Sequence, residues 1–336
     1  MKAIVNVSSL LLSAVPLCLM ATACSSSDSS SATSPHGTAG GGMMVDAGST
    51  PTSSKDIVDT AIANGNFRTL VGAVQSAGLE ATLRGPGPLT VFAPTDAAFA
   101  KLPGFLVTKL VTPPYKSELG LILKYHVLPG LVMATDLLGK TSNPSTVEGG
   151  KLAVDGNGGK VIVNGSVNVT TPDVSAANGI IHVADGVLLP TIVDTAGGYD
   201  DGTTKFSTLV TAVRAADLVP TLSAAGTFTV FAPTDKAFAD LKVALGDAAF
   251  NAILADKGKL QQILKYHLLA STVYAKDVSP GQVPTVEGNK LTLAVSGSDV
   301  TIADSTAAKA KIVLTDLPNS NGVIHVIDKV LLPPGI

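Results

Sequence analysis

One feature of this 336-residue chain constrains its fold more than any other: long stretches of it occur twice, in the same order. Leu89–Ala100 reads LTVFAPTDAAFA and Phe228–Ala239 reads FTVFAPTDKAFA, so ten of twelve positions match. Ile122–His126 (ILKYH) recurs as Ile263–His267, and Thr146–Leu152 (TVEGGKL) as Thr285–Leu291 (TVEGNKL). Asn178–Pro190 (NGIIHVADGVLLP) recurs as Asn321–Pro333 (NGVIHVIDKVLLP). The offset stays between 139 and 143 residues. That is the length of a whole domain, not the 20–50 residues of a solenoid unit. Two like domains follow, with a linker expected near Thr191–Thr204, where Gly197-Gly198 and Asp200-Asp201-Gly202 punctuate the chain. Hydrophobic residues make up 46% and aromatics only 4%, so two cores must be built from Val, Leu, Ile and Ala. A net charge of −3 with no basic, aromatic-interleaved stripe argues against nucleic-acid binding. Two cysteines supply neither a zinc site nor a disulfide framework.

The first 23 residues read as an export signal. Lys2 precedes an apolar run, Leu10–Ala23, too short to span a bilayer as a stable helix. It ends Leu19-Met20-Ala21-Thr22-Ala23-Cys24, which resembles a bacterial lipobox and implies lipidation of Cys24; the other reading is simple cleavage after Ala23. Cys18 would leave with the signal, and the mature chain would keep one thiol, at its first residue. Ser25 resembles an outer-membrane sorting position. Residues 24–54, rich in Ser, Gly and Thr, read as a flexible tether of about 30 Å root-mean-square span. His36, Met43 and Met44 lie in it, and a metal-binding use of the three is the lesser reading beside that of a tether.

Within each copy helical signals precede strand signals. Asn66 is placed to cap a helix over Phe67–Ala77, with Phe67, Leu70, Val71 and Val74 on one face and Gly78 as its stop. A short strand follows at Thr90–Ala93, and at Thr229–Ala232 in the second copy. Thr95 then suits an N-cap and Asp96 the first helical turn, repeated by Thr234 and Asp235. Lys151–Val154, Lys160–Val163, Val167–Thr170 and Ile180–Val183 are short, β-branched and punctuated by Gly or Asn, as strands with tight turns are. The class is α+β.

In their order and spacing, TVFAPTDAAF, ILKYH and NGIIHVADGVLLP resemble the fasciclin-like adhesion domain, and the opening Ile57–Ala61 (IVDTA) fits it too. The copies cover 55–193 and 200–336. The second departs at its start: IVDTA recurs at Ile192–Ala196, but Gly-Gly-Tyr-Asp-Asp follows, so its first helix is expected to be short or missing. The resemblance implies a compact wedge, a β-sandwich flanked by helices. It also implies adhesion at a cell surface or matrix without catalysis. The partner would be a surface or matrix protein or a polysaccharide, and Tyr125, His126, Tyr266 and His267 become candidate interaction residues.

The remaining polar residues read as structural. His182 and His325 lie in strands apolar on both faces, where an imidazole is neutral and bonded. Asp185 and Asp328 lie three residues on, and no G-x-S-x-G nucleophile occurs. The acidic turns at Asp155–Gly159 and Tyr199–Gly202 lack the ligands of a calcium loop, and Glu148 and Glu287 read as turn residues. The expectation is a non-enzymatic binding protein without metal or cofactor. It would be exported and held by lipid at the cell envelope, or secreted if not lipidated. The alternative is a periplasmic or surface binder of small ligands or polysaccharide.

Overall fold

The computed structural model describes residues 54–336 apart from Ser298. The expected signal peptide, Cys24 and nearly all of the tether, with His36, Met43 and Met44, lie outside the described residues.

The first copy runs α1 (Ile57–Asn64), α2 (Arg68–Ala77), α3 (Glu80–Leu83), β1 (Leu89–Pro94), α4 (Asp96–Phe99), α5 (Gly104–Leu110), α6 (Lys116–Tyr125), β2 (Val127–Pro129), α7 (Ala134–Leu137), β3 (Thr141–Ser142), β4 (Val154–Asp155), β5 (Ile162–Val163), β6 (Val167–Ala176) and β7 (Gly179–Ala184). The second runs α8 (Ile192–Gly198), α9 (Ser207–Ala215), α10 (Val219–Ser223), β8 (Phe228–Pro233), α11 (Asp235–Leu245), α12 (Asp247–Ala255), α13 (Lys257–Tyr266), β9 (Leu268–Leu269), β10 (Gly281–Pro284), β11 (Lys290–Ser296), β12 (Asp299–Ala303), β13 (Ala310–Asn319) and β14 (Gly322–Ile327).

Each copy closes a seven-stranded sheet of the same order: β2-β1-β7-β6-β5-β4-β3, then β9-β8-β14-β13-β12-β11-β10. The repeated TVFAP and IIHVA (VIHVI) segments lie side by side as its one parallel pair, with Val91 opposite Ile181 and Val230 opposite Ile324. Every residue of β7 is buried, which accounts for its unbroken apolar run. The long β6 pairs with β5 at one end and along β7 across two register shifts. The last shift in each copy centres on an Asp with positive φ, Asp173 and Asp316.

The Asn-Gly before each histidine strand is explained by two close approaches. A Cβ on Gly179 would lie 2.0 Å from the Leu89 carbonyl oxygen, and on Gly322 2.1 Å from that of Phe228. Asn178 accepts from Ile57 N–H at the start of α1 and donates to the Leu83 and Gly85 carbonyls. Asn321 does the same for Ile192, Leu222 and Ala224.

That equivalence corrects two expectations. The start of the segment expected to be linker is α8, the counterpart of α1, and the first helix of the second copy is present. Thr191 and Asp194 form a reciprocal capping box there, and Ile192, Thr195 and Ala196 are buried. A third correction concerns Asn66, which does not cap α2. The cap comes from Asp96, whose carboxylate accepts from Thr69 N–H at 2.7 Å and Arg68 N–H at 3.3 Å. Thr95 is the N-cap of α4, as its position predicts.

Phe92, Tyr125, Leu128, Leu152 and Val163 fill the strand side of the first copy; Phe231, Tyr266, Leu291 and Ile302 fill that of the second. The helix-side core is continuous through both copies, from Ile57, Leu70 and Ile122 to Leu209, Leu264 and Ile324.

Candidate functional site

The repeated tyrosine–histidine pair closes α6 and α13. The Tyr125 hydroxyl donates to the Lys151 carbonyl at 2.9 Å and accepts from Asn164 at 3.2 Å. The Leu188 N–H donates to His126 Nε2 at 2.9 Å, so the proton sits on Nδ1, which donates to the Ile122 carbonyl at 2.8 Å. In the second copy Tyr266 donates to Lys290, and His267 bridges Leu331 N–H and the Ile263 carbonyl. The histidines pin the end of each long helix to the segment after the histidine strand, and the tyrosines pin it to Lys151 or Lys290. All four side chains are at most 2% exposed, so in this folded state none is open to a partner. Burial pushes the His126 and His267 imidazoles down to about 4.

His182 and His325 take the opposite tautomer. Nε2–H donates to the Val132 or Val273 carbonyl at 2.8 Å, and Nδ1 accepts from the Asp173 or Asp316 N–H. Each imidazole thereby holds the bulge of the neighbouring strand. All eight ring nitrogens are engaged by backbone groups, an arrangement for rigidity rather than proton transfer.

The carboxylates weighed as chemical groups also have structural partners. Asp185 binds the N–H and side-chain amide of Asn168, and Asp328 the Lys311 N–H. Asp155 accepts from Asn157, and Asp201 from Thr203 and Thr204, the pattern of Asx turns. Glu148 and Glu287 each close their own turn, on Gly150 and Asn289.

The junction of the two copies carries polar features that reading the copies singly misses. Lys109 of α5 donates at 2.6 Å to both Thr315 and the buried Asp316 of β13, and lies over the Tyr115 ring. Phe105 meets Tyr274 edge-on, with ring centroids 5.3 Å apart. Nearby, α6 and the end of α8 flank an open crevice of about 360 Å³, lined by Lys116, Ser117, Lys124, Glu148, Gly198 and Asp200. Its mixed charges and backbone groups suit hydrogen-bonding ligands. By contrast, the apolar cavities beneath α1 and α8 are about 30 Å³ each. They occupy equivalent places, beside His126 and His267.

The Fasciclin domain family model matches residues 65–190 and 204–333. Protein sll1483 of Synechocystis sp. is 45% identical over 144 residues, 43% of this chain and 74% of that protein. Transforming growth factor-beta-induced protein ig-h3 of Sus scrofa is 30% identical over 273 residues, covering 80% of this chain. The match spans only 36% of ig-h3. Among solved structures, a FAS1 domain pair from the insect cell adhesion molecule Fasciclin I aligns with 80% of this chain and 98% of its own, at 19% identity and a TM-score of 0.39.

Proposed function

The chain belongs to the fasciclin domain family, and from that premise we propose that it is a non-enzymatic adhesion protein, displayed from the cell envelope by lipid on Cys24 and joined to it by the 24–54 tether. The observation that carries the non-enzymatic part is the engagement of all four signature-motif histidines by backbone groups. The partner is a surface or matrix protein, or a polysaccharide, met by exposed loops and edges. The tyrosine–histidine pairs serve that contact from below, as its scaffold. Two linked contact surfaces raise the effective concentration of the second contact once the first is made.

A second reading, a surface or periplasmic binder of small ligands or polysaccharide, is favoured by the crevice around Lys116, Lys124 and Glu148. One experiment separates the two. The mature chain is passed over immobilised matrix proteins and a polysaccharide array, beside a Lys116→Ala/Lys124→Ala variant. Adhesion through loops and edges survives the double substitution, whereas crevice binding is lost. Binding to neither support sinks the adhesion reading, and the crevice reading falls with it if a thermal-shift screen of small ligands also finds none. Replacing Cys24 with Ala and fractionating cells tests the anchor; a variant that stays with the membrane contradicts it.

A further inference from the structure

Glu118, in the first turn of α6, is fully buried, and neither carboxyl oxygen has a hydrogen-bond partner among the described residues. An ionised carboxylate is not stable in such a place without a partner or water. The counterpart in the second copy, by alignment of the two YH-ending helices, is Lys259, which is exposed. The buried acid is therefore no requirement of the repeated fold. It belongs to what distinguishes α6 from α13, namely the packing of the second copy against it.

That packing is close. A Cβ on Gly198, at the end of α8, would lie 3.1 Å from Leu121 Cδ1 and 2.3 Å from Glu148 Oε1. Tyr199 follows, buried and tilted against Phe206 with ring centroids 5.6 Å apart. The ionisable groups that face Glu118 are Glu148, on the 146–150 turn, and Tyr199, with Tyr115 and Asp201 beside the Tyr199 hydroxyl. Asp194 of α8 and Lys124 of α6 act on Glu148. Of the other elements packed on α6, α2 carries only the exposed Arg68, Lys109 of α5 is held by Asp316, and β2 has no charged residue.

We propose that Glu118 is a proton-operated latch on the contact between the two copies: as a neutral acid it lets α6 and α8 close on each other, and its ionisation loosens them. Burial, with the like charge of Glu148 second, pushes its carboxyl from 4.5 up to about 8. Opened to water, the group returns to the ordinary carboxylate range. The open form then binds fewer protons, so its population rises about tenfold per pH unit from about 4.5 to about 8 and levels off above. Glu148, also raised, acts in the same direction. The four histidines titrate inside the copies and favour the closed form as pH rises, so they cannot mimic the effect.

Hydrogen exchange on the full mature chain between pH 6 and 9, corrected for intrinsic rates, tests this. Amides of 116–125 and 192–199 should lose protection about tenfold per pH unit up to pH 8, and at each pH should exchange faster than those of β1 and β8, which open only with the whole chain. In Glu118→Gln that slope should flatten, with β1 and β8 still the slowest to exchange. A flat slope in the native chain, or a native slope in Glu118→Gln, overturns the proposal. If that variant does not fold, carbon-13 carboxyl titration of native Glu118 decides: a midpoint near 8 supports the latch and one near 4.5 removes it.

Discussion

An imidazole inside a protein is stable when each ring nitrogen finds a partner of the right polarity, and these histidines meet that condition with backbone groups alone. The cost appears in acid. His126 and His267 titrate near 4 in the folded chain and near 6.5 unfolded, so between those values the unfolded chain binds more protons. Stability therefore holds above pH 6.5 and is lost as pH falls, by about 3 kcal/mol for each of the two by pH 4. His182 and His325 are lowered too and add to the loss. Glu118, raised, acts in the opposite sense up to about pH 8. Urea unfolding should accordingly show greatest stability near pH 6.5, with a steep fall on the acid side. A profile flat from pH 7 to 4.5 would contradict the neutral, locked imidazoles. At Gly179 the obstacle is steric: Ala there places its Cβ against a backbone oxygen that cannot yield, so Gly179→Ala should lose about 2–4 kcal/mol in the same assay. Burial of the histidine strand was legible in the sequence because Ile180–Ala184 is apolar on both faces. Glu118 was not: a glutamate in a first helical turn reads as a surface residue answering the helix dipole. Groups distant in sequence surround it, the 146–150 turn of its own copy and Tyr199 of the neighbouring one.

At the scale of elements, the repeated Pro-Thr-Asp does two jobs with adjacent residues. Thr95 caps its own helix through Ala98 N–H, while Asp96 reaches back to the first turn of α2. Thr234 and Asp235 repeat both, the latter on Thr208 N–H at 2.7 Å. Neither α2 nor α9 has a side-chain cap of its own, since Phe67 and Phe206 occupy that position and are buried. Removing the borrowed cap should cost what a native one costs, about 1 kcal/mol and at most about 2. Asp96→Ala and Asp235→Ala are each expected to lower the unfolding free energy measured in urea by that amount, and Asp96→Asn, which keeps an acceptor, to recover part of it. Equal stability of Asp96→Ala and native protein would show the bond to be incidental. Thr95 was readable as a cap because its target lies three residues on. The partner of Asp96 lies 27 residues back, and no local rule pairs them. The same limit explains α8: Gly197-Gly198 reads as linker, yet the Thr191 box and the Asn321 side chain, 129 residues away, hold that segment helical.

At the scale of the molecule, the question is whether two copies on one chain melt as beads or as a body. Separate domains meet through modest, wet interfaces and unfold one at a time. Here the helix-side core passes without a break from Leu119 and Leu121 of one copy to Tyr199 and Phe206 of the other. The Lys109–Asp316 bond joins the copies a second time, with the carboxylate 3% exposed. Truncating Lys109 leaves that carboxylate buried without its cation, a change that costs about 3 kcal/mol or more in comparable pairs. The loss falls on the contact rather than on either copy. Calorimetry of the native mature chain should thus give one transition, with calorimetric and van't Hoff enthalpies equal. Lys109→Ala should split it or lower it as a whole; Lys109→Arg, which keeps the charge, should do so far less. Asp316 also accepts from Ala275 N–H, and its own N–H holds His325. The weakened variant should therefore lose protection around 273–276 and 312–316 before β1 opens. Two native transitions, with Lys109→Ala moving neither, would mean that the copies only touch, and that the shared core contributes nothing to their cooperation.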